Sequence, residues 1–135
     1  MIDPTLLVEE TRADMERYFK RYDLANFMEA TESQLKELPA CYLMTMTDDP
    51  TGTIYNGTEE QGSEEVVGLV IISTVSELRA ARKHVLSVFR GHTPHPAETD
   101  IPFHPMAFVG GEIRTIKGNA YAWMDMYKTY TLGGC

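Results

Sequence analysis

The run Val66-Val67-Gly68-Leu69-Val70-Ile71-Ile72 has no polar residue and no alternation. A strand that is apolar on both faces must be covered on both, which puts it at the centre of a sheet. It leads into Ser76–Gly91 (SELRAARKHVLSVFRG), where Leu78, Ala81, Val85, Val88 and Phe89 make an apolar stripe at helical spacing. Ser76 is placed to cap this helix, and Gly91 to end it by adopting left-handed backbone. His92 to Pro105 holds four prolines and is expected to be irregular. Two long strands follow, Met106–Ile116 and Ala120–Leu132, around a Lys117-Gly118-Asn119 turn, with Gly110-Gly111 reading as a turn or bulge in a strand rather than a phosphate cradle. On the last strand Ala122, Met124, Met126, Tyr130 and Leu132 share one face. Tyr121, Trp123 and Tyr127 share the other, with Asp125 among them. Neither face is polar enough to be simply wet. Either helices cover both, or one meets another subunit.

The first half supplies a second helix. Asp3-Pro4 is a helix start, and Leu7, Thr11, Met15, Tyr18 and Tyr22 recur at three- and four-residue intervals. The expected helix runs over about 4–22. Asp23–Ala30 reads as a short strand, Thr31–Leu38 as one or two helical turns stopped by Pro39, and Ala40–Thr47 as a strand. Asp48–Gly62 is turn-rich and acidic, and reads as a solvated connector or a projecting contact loop. The fold class expected is α/β (α+β). One domain spans 1–135, with a mixed or antiparallel sheet, a long C-terminal β-hairpin and two main helices packed on one face.

Charge narrows the function. The formal net charge of −8 argues against tight nucleic-acid binding, which needs cations for the phosphates. It suits a soluble domain, and equally a surface past which DNA slides without sticking. Cys41 and Cys135 do not make a disulfide framework. Cys41 reads as a small buried hydrophobe, and Cys135 as a terminal thiol, free or paired between chains. No signal-peptide core or membrane-length apolar run stands out, so the chain reads as soluble and intracellular in origin.

Catalytic signatures are weak. His92, His95 and His104 cluster with Glu98 and Asp100, residue types that zinc and iron accept. They lie in a proline-rich loop without a familiar ligand spacing, so no metal is expected. His84 is the only histidine on a helix, and its partner is not apparent from sequence. Cys41 in an apolar strand is a poor nucleophile. The pairs Asp48-Asp49, Glu59-Glu60 and Glu64-Glu65 lack calcium-loop spacing. No catalytic residue, cofactor or enzymatic activity is expected.

The order of elements resembles the tail-terminator (tail-completion) proteins of tailed bacteriophages. The similarity lies in the N-terminal amphipathic helix, the strand after Leu-Pro (ELPACYLMTM) and the apolar strand VVGLVIIS. It continues through the helix ending VLSVFRGHTPHP and the closing PMAFVGGEIRTIKGNAYAWMDMYKTYTL, about two thirds of the chain in all. The acidic stretch 48–65 is longer than that pattern leads one to expect. The resemblance implies a structural virion protein, assembled in the host cytoplasm. It would form a homo-hexameric ring at the head-proximal end of the tail tube, stop tube growth and join the tail to the neck. Implied partners are further copies of itself, the tail tube protein and a neck or head-completion protein, with the sheath protein a further candidate. DNA would pass through without tight binding, and no membrane is involved. Within that picture Tyr121, Trp123, Tyr127, Met124 and Met126 are candidate interface residues. Glu59, Glu60, Glu64 and Glu65 are candidates to face the channel or the neck. Two rival readings remain at this level. One is a small acidic adaptor or inhibitor of a host or phage protein. The other is a small α/β enzyme with a metal site in the histidine loop.

Overall fold

The computed structural model describes residues 2–25, 38–46, 64–95, 103–117 and 120–130, the side chains of 114–117 excepted. The elements run α1 (Pro4–Met15), β1 (Arg21–Leu24), β2 (Ala40–Thr45), β3 (Glu64–Thr74), α2 (Val75–Phe89), β4 (Ala107–Lys117) and β5 (Ala120–Tyr130). The strands form one mixed sheet in the order β1-β2-β3-β5-β4. Only β1 and β2 are parallel; β2 with β3, β3 with β5, and β4 with β5 are antiparallel. The apolar run thus occupies the middle strand, as its lack of alternation demands. The single α+β domain expected from sequence is what forms.

Both helices pack on one face of the sheet. Leu7, Val8 and Met15 of α1 and Ala81, Val85 and Phe89 of α2 bury against Cys41, Leu43, Val67, Leu69, Ile71 and Tyr127. The strand period sends the alternate residues to the opposite face, where Ala40, Tyr42, Val70 and Met124 form a second cluster. Asp3 caps α1, its Oδ1 accepting from the amides of Thr5 and Leu6 at 3.0 and 3.3 Å. Gly91 follows α2 with φ +85°, the left-handed turn a side chain would resist.

Four expectations are corrected. The first helix stops at Met15 rather than near Tyr22. The amides of Tyr18 and Phe19 fold back on the Met15 carbonyl, and Arg21–Leu24 enters the sheet beside β2. The helical spacing of Tyr18 and Tyr22 misled because Tyr22 reaches the same core from a strand, its hydroxyl 2.8 Å from that of Thr11. The short strand looked for within Asp23–Ala30 therefore begins two residues earlier. Ser76 does not cap α2; Thr74 stands at the cap position, without a side-chain hydrogen bond to the helix. The strand predicted to start at Met106 starts at Ala107.

The two last strands pair from Ala107 opposite Lys128 to Lys117 opposite Ala120. The register shifts between Phe108 and Gly110 and again between Ile113 and Thr115. Val109 and Arg114 are thus extra residues on β4, as in β-bulges. Residues 118–119 of the expected turn, together with 31–37 and 48–63, lie outside the described residues.

Candidate assembly surface

Among the described residues the sheet ends on β4, which α2 borders only at its C-terminal end. Helix α2 lies over β3 and β5, so the helix side of β4 is left open. Phe108 pairs with Tyr127 and Ile113 with Trp123, which fixes both on that side. They are 41% and 45% exposed, and Val109 between them is 49% exposed. An eleven-residue edge strand with three exposed apolar side chains is an unusual surface for a protein to leave bare.

Beside this strand, β5 presents Trp123 and Asp125. The Trp123 indole donates to Asp125 Oδ1 at 2.8 Å. Arg82 of α2 completes the arrangement, its Nε 3.0 Å from Oδ2 and its Nη2 3.0 Å from Oδ1. The Arg82 Cζ also stands 4.4 Å from the centre of the Trp123 ring, a cation–π contact. Asp125 is 1% exposed. A buried carboxylate needs this many donors, because taking it from water unpaired costs several kcal/mol. Gly111, its neighbour on β4, makes the room. A Cβ there would overlap Asp125 Oδ1 and stand 2.6 Å from the Trp123 nitrogen. Trp123 is therefore held rigidly at the border between the core and the open strand.

Further along the same border is a shallow recess of about 550 Å³ lined by Leu86, Arg90, Gly91, Met106, Ala107 and Phe108. The helical period brings Arg79, Arg82, Lys83, Leu86 and Arg90 to the flank of α2 that faces β4. This flank carries four cations and no acid, in a chain whose net charge is −8.

The predicted interface residues separate by depth. Trp123 and Tyr121 are half-buried on the helix side of β5, next to β4, and Met126 is half-buried on the opposite side. Tyr127 and Met124 have essentially no exposed surface, so within this chain they are core. Tyr127 packs between Phe89 and Phe108, at ring distances of 5.8 and 5.4 Å. Its hydroxyl is buried without a hydrogen-bond partner, and burial pushes its pKa up.

The acidic candidates separate too. Glu64 is exposed at the start of β3. Glu65, expected to face a channel or a neck, is 7% exposed, and its Oε1 accepts the Ile2 amide at 3.1 Å. Its side chain lies on the helix face of β3 and ties down the chain ahead of α1. Glu59 and Glu60 lie outside the described residues.

The histidines are spent on tertiary contacts. His92 Nε2 is 2.9 Å from Glu10 Oε1, and the same oxygen accepts the His95 amide at 3.2 Å. Glu10 thereby clasps the segment after α2 to α1. The ring of His104 packs edge-on to Tyr130, and its carbonyl accepts from the Thr129 hydroxyl. His84 finds the partner that sequence did not reveal: Nε2 is 2.8 Å from the Asp14 carbonyl, and the ring stacks on Tyr18. Glu98 and Asp100 lie outside the described residues. Among the described residues, no three His, Cys, Asp or Glu side chains stand close enough to hold a metal. Cys41 is fully buried and its thiol pKa is pushed well up, by burial first and by the charge of Asp125 second. Among the same residues no helix is long and apolar enough to cross a membrane.

Sequence reasoning singled out Trp123 but missed its two fixing partners, Arg82 and Gly111. The signal for Gly111 was present as a glycine pair within a strand. Arg82 carried none, since its side chain pairs across forty-three positions. No protein-family model matches this sequence, and no curated protein matches it significantly.

Proposed function

We propose that this chain is a structural assembly protein of a phage tail, a terminator that forms a ring at the head-proximal end of the tail tube. The observation that carries the reading is the bare β4 strand. Phe108, Val109 and Ile113 are exposed on the last described strand of a sheet in which α1 lies over β1 and β2 and α2 over β3 and β5. Apolar surface of that kind is stabilised when another protein surface covers it. A subunit that must meet identical neighbours has a use for it, and a closed ring leaves no such surface uncovered. The α+β fold, with two helices on one sheet face, agrees with the order of elements on which the resemblance rests.

In this reading the chain makes no bond and breaks none. Its work is to cap the growing tube, to present a second surface to the neck, and to let DNA through an acidic ring. The ring is expected to be a hexamer. Partners are the tube protein below and a neck or head-completion protein above, with the sheath protein a further candidate. The test is to delete the gene from the genome that encodes it and to image the particles. Overlong tails, or tails that fail to join heads, are the expected result. Tails of normal length that still join heads would remove the reading.

A further inference from the structure

We infer that the groove between α2 and β4 receives the acidic segment 48–60 of a second copy of this chain. The inference rests on the ring reading and deepens it by naming the two surfaces that meet.

The groove has a defined chemistry. Its floor is apolar, built by Leu86, Met106, Ala107 and Phe108, with the exposed Ile113 further along the same side of β4. Its helix wall carries Arg79, Lys83 and Arg90, with Arg82 already paired to the nearby carboxylate of Asp125. An occupant should therefore be apolar at its centre and acidic at its ends.

The segment 48–60 (DDPTGTIYNGTEE) has that pattern. Ile54-Tyr55 is flanked by Asp48-Asp49 on one side and Glu59-Glu60 on the other. No lysine or arginine occurs anywhere from residue 37 to residue 78. Copies of a chain with net charge −8 repel one another over most of their surface. Contact is favoured where cations of one copy meet acids of the next, which also selects orientation. Groove and segment are different surfaces, so the contact repeats head-to-tail, the kind that makes a ring where the rotation between copies closes.

The test uses the full chain in a Cys135→Ser background, Cys41 being buried. One preparation carries Glu59→Cys and another Arg90→Cys. On mild oxidation the mixture is expected to give disulfide-linked pairs that neither preparation gives alone. The double variant, Glu59→Cys with Arg90→Cys, is expected to give linked oligomers up to a closed ring. Sedimentation supplies the second arm. Arg79→Glu with Arg90→Glu is expected to weaken self-association about tenfold or more. Mixing that variant with Glu59→Lys, Glu60→Lys protein is expected to restore it. Three results overturn the inference: a double variant linked only within its own chain, a wild-type chain that stays monomeric up to millimolar concentration, or a charge reversal without effect. The deletion experiment is independent of all three. Linked rings together with normal tails would leave this contact standing and remove the terminator reading. Overlong tails without cross-links would do the reverse.

Discussion

Arg82 and Asp125 meet through N–H···O bonds of 3.0 Å from Nε to Oδ2 and from Nη2 to Oδ1, with Nε also 3.2 Å from Oδ1, donated from the flank of α2 to a single carboxylate on β5. The two residues are unequal. The Asp125 side chain is 2% exposed, whereas that of Arg82 keeps 35% of its surface. Removing the arginine leaves a buried charge with Trp123 as its remaining side-chain donor among the described residues. Removing the aspartate leaves a cation that can turn to water.

Arg82→Met is therefore expected to cost about 3 kcal/mol of stability. Asp125→Asn should cost clearly less. Urea unfolding of both variants checks the order; equal losses would show that the pair is not the asymmetric clamp its burial describes.

Gly111→Ala is expected to destabilise by about 1–3 kcal/mol, because the new methyl group displaces the Trp123–Asp125 hydrogen bond. Trp123 is the only tryptophan, so its fluorescence reports the change directly. A red-shifted emission in the folded variant is the expected signature, and an unchanged spectrum would place the clash elsewhere.

Tyr22 and Tyr127 govern the alkaline limit. Burial raises both phenols above the ordinary value of 10.0. The folded chain then holds these protons more tightly than the unfolded chain does, so stability is whole below about pH 10 and falls as pH rises beyond it. Chemical denaturation at stepped alkaline pH should show this decline. Tyr22→Phe and Tyr127→Phe together should flatten it.

Cys41 should be inert while the fold is intact. Its thiol is buried and its pKa is raised, so little thiolate exists to react. Its reaction with a thiol reagent is expected to follow global unfolding, with a rate set by denaturant. In a Cys135→Ser background, prompt labelling of the native protein at neutral pH would show that β2 opens locally.

Ile113→Lys separates assembly from stability. The residue is exposed, so folding stability should change by no more than about 0.5 kcal/mol. Self-association should be lost. A variant that assembles normally would move the contact off the helix side of β4.

The sheet was legible in the sequence wherever one physical demand dominated. Val66–Ile72 could only be central, and the alternation after Ala120 assigned the faces of β5 correctly. Gly91 announced the end of α2. The end of α1 was illegible because Tyr22 reaches one core equally from a helix or from a strand. Glu65 looked like its exposed neighbour Glu64, and only the approach of Ile2 from across the fold gives it a buried role. The same holds for Arg82 and for His84, whose partners lie far off in sequence. Local pattern reports which face a residue occupies, and distant packing decides what it meets there.

The register shifts at Val109 and Arg114 have a consequence for how far this protein can grow. A straight, regular edge would accept another strand along its whole length, and that strand another, without limit. Strand β4 breaks step twice, and a bulge of this kind disrupts the ladder and bends the strand. A strand laid along it loses its ladder after a few residues. The exposed side chains still invite company, but the backbone refuses to serve as a template. Stickiness without templating favours an assembly that is finite and curved over a fibre.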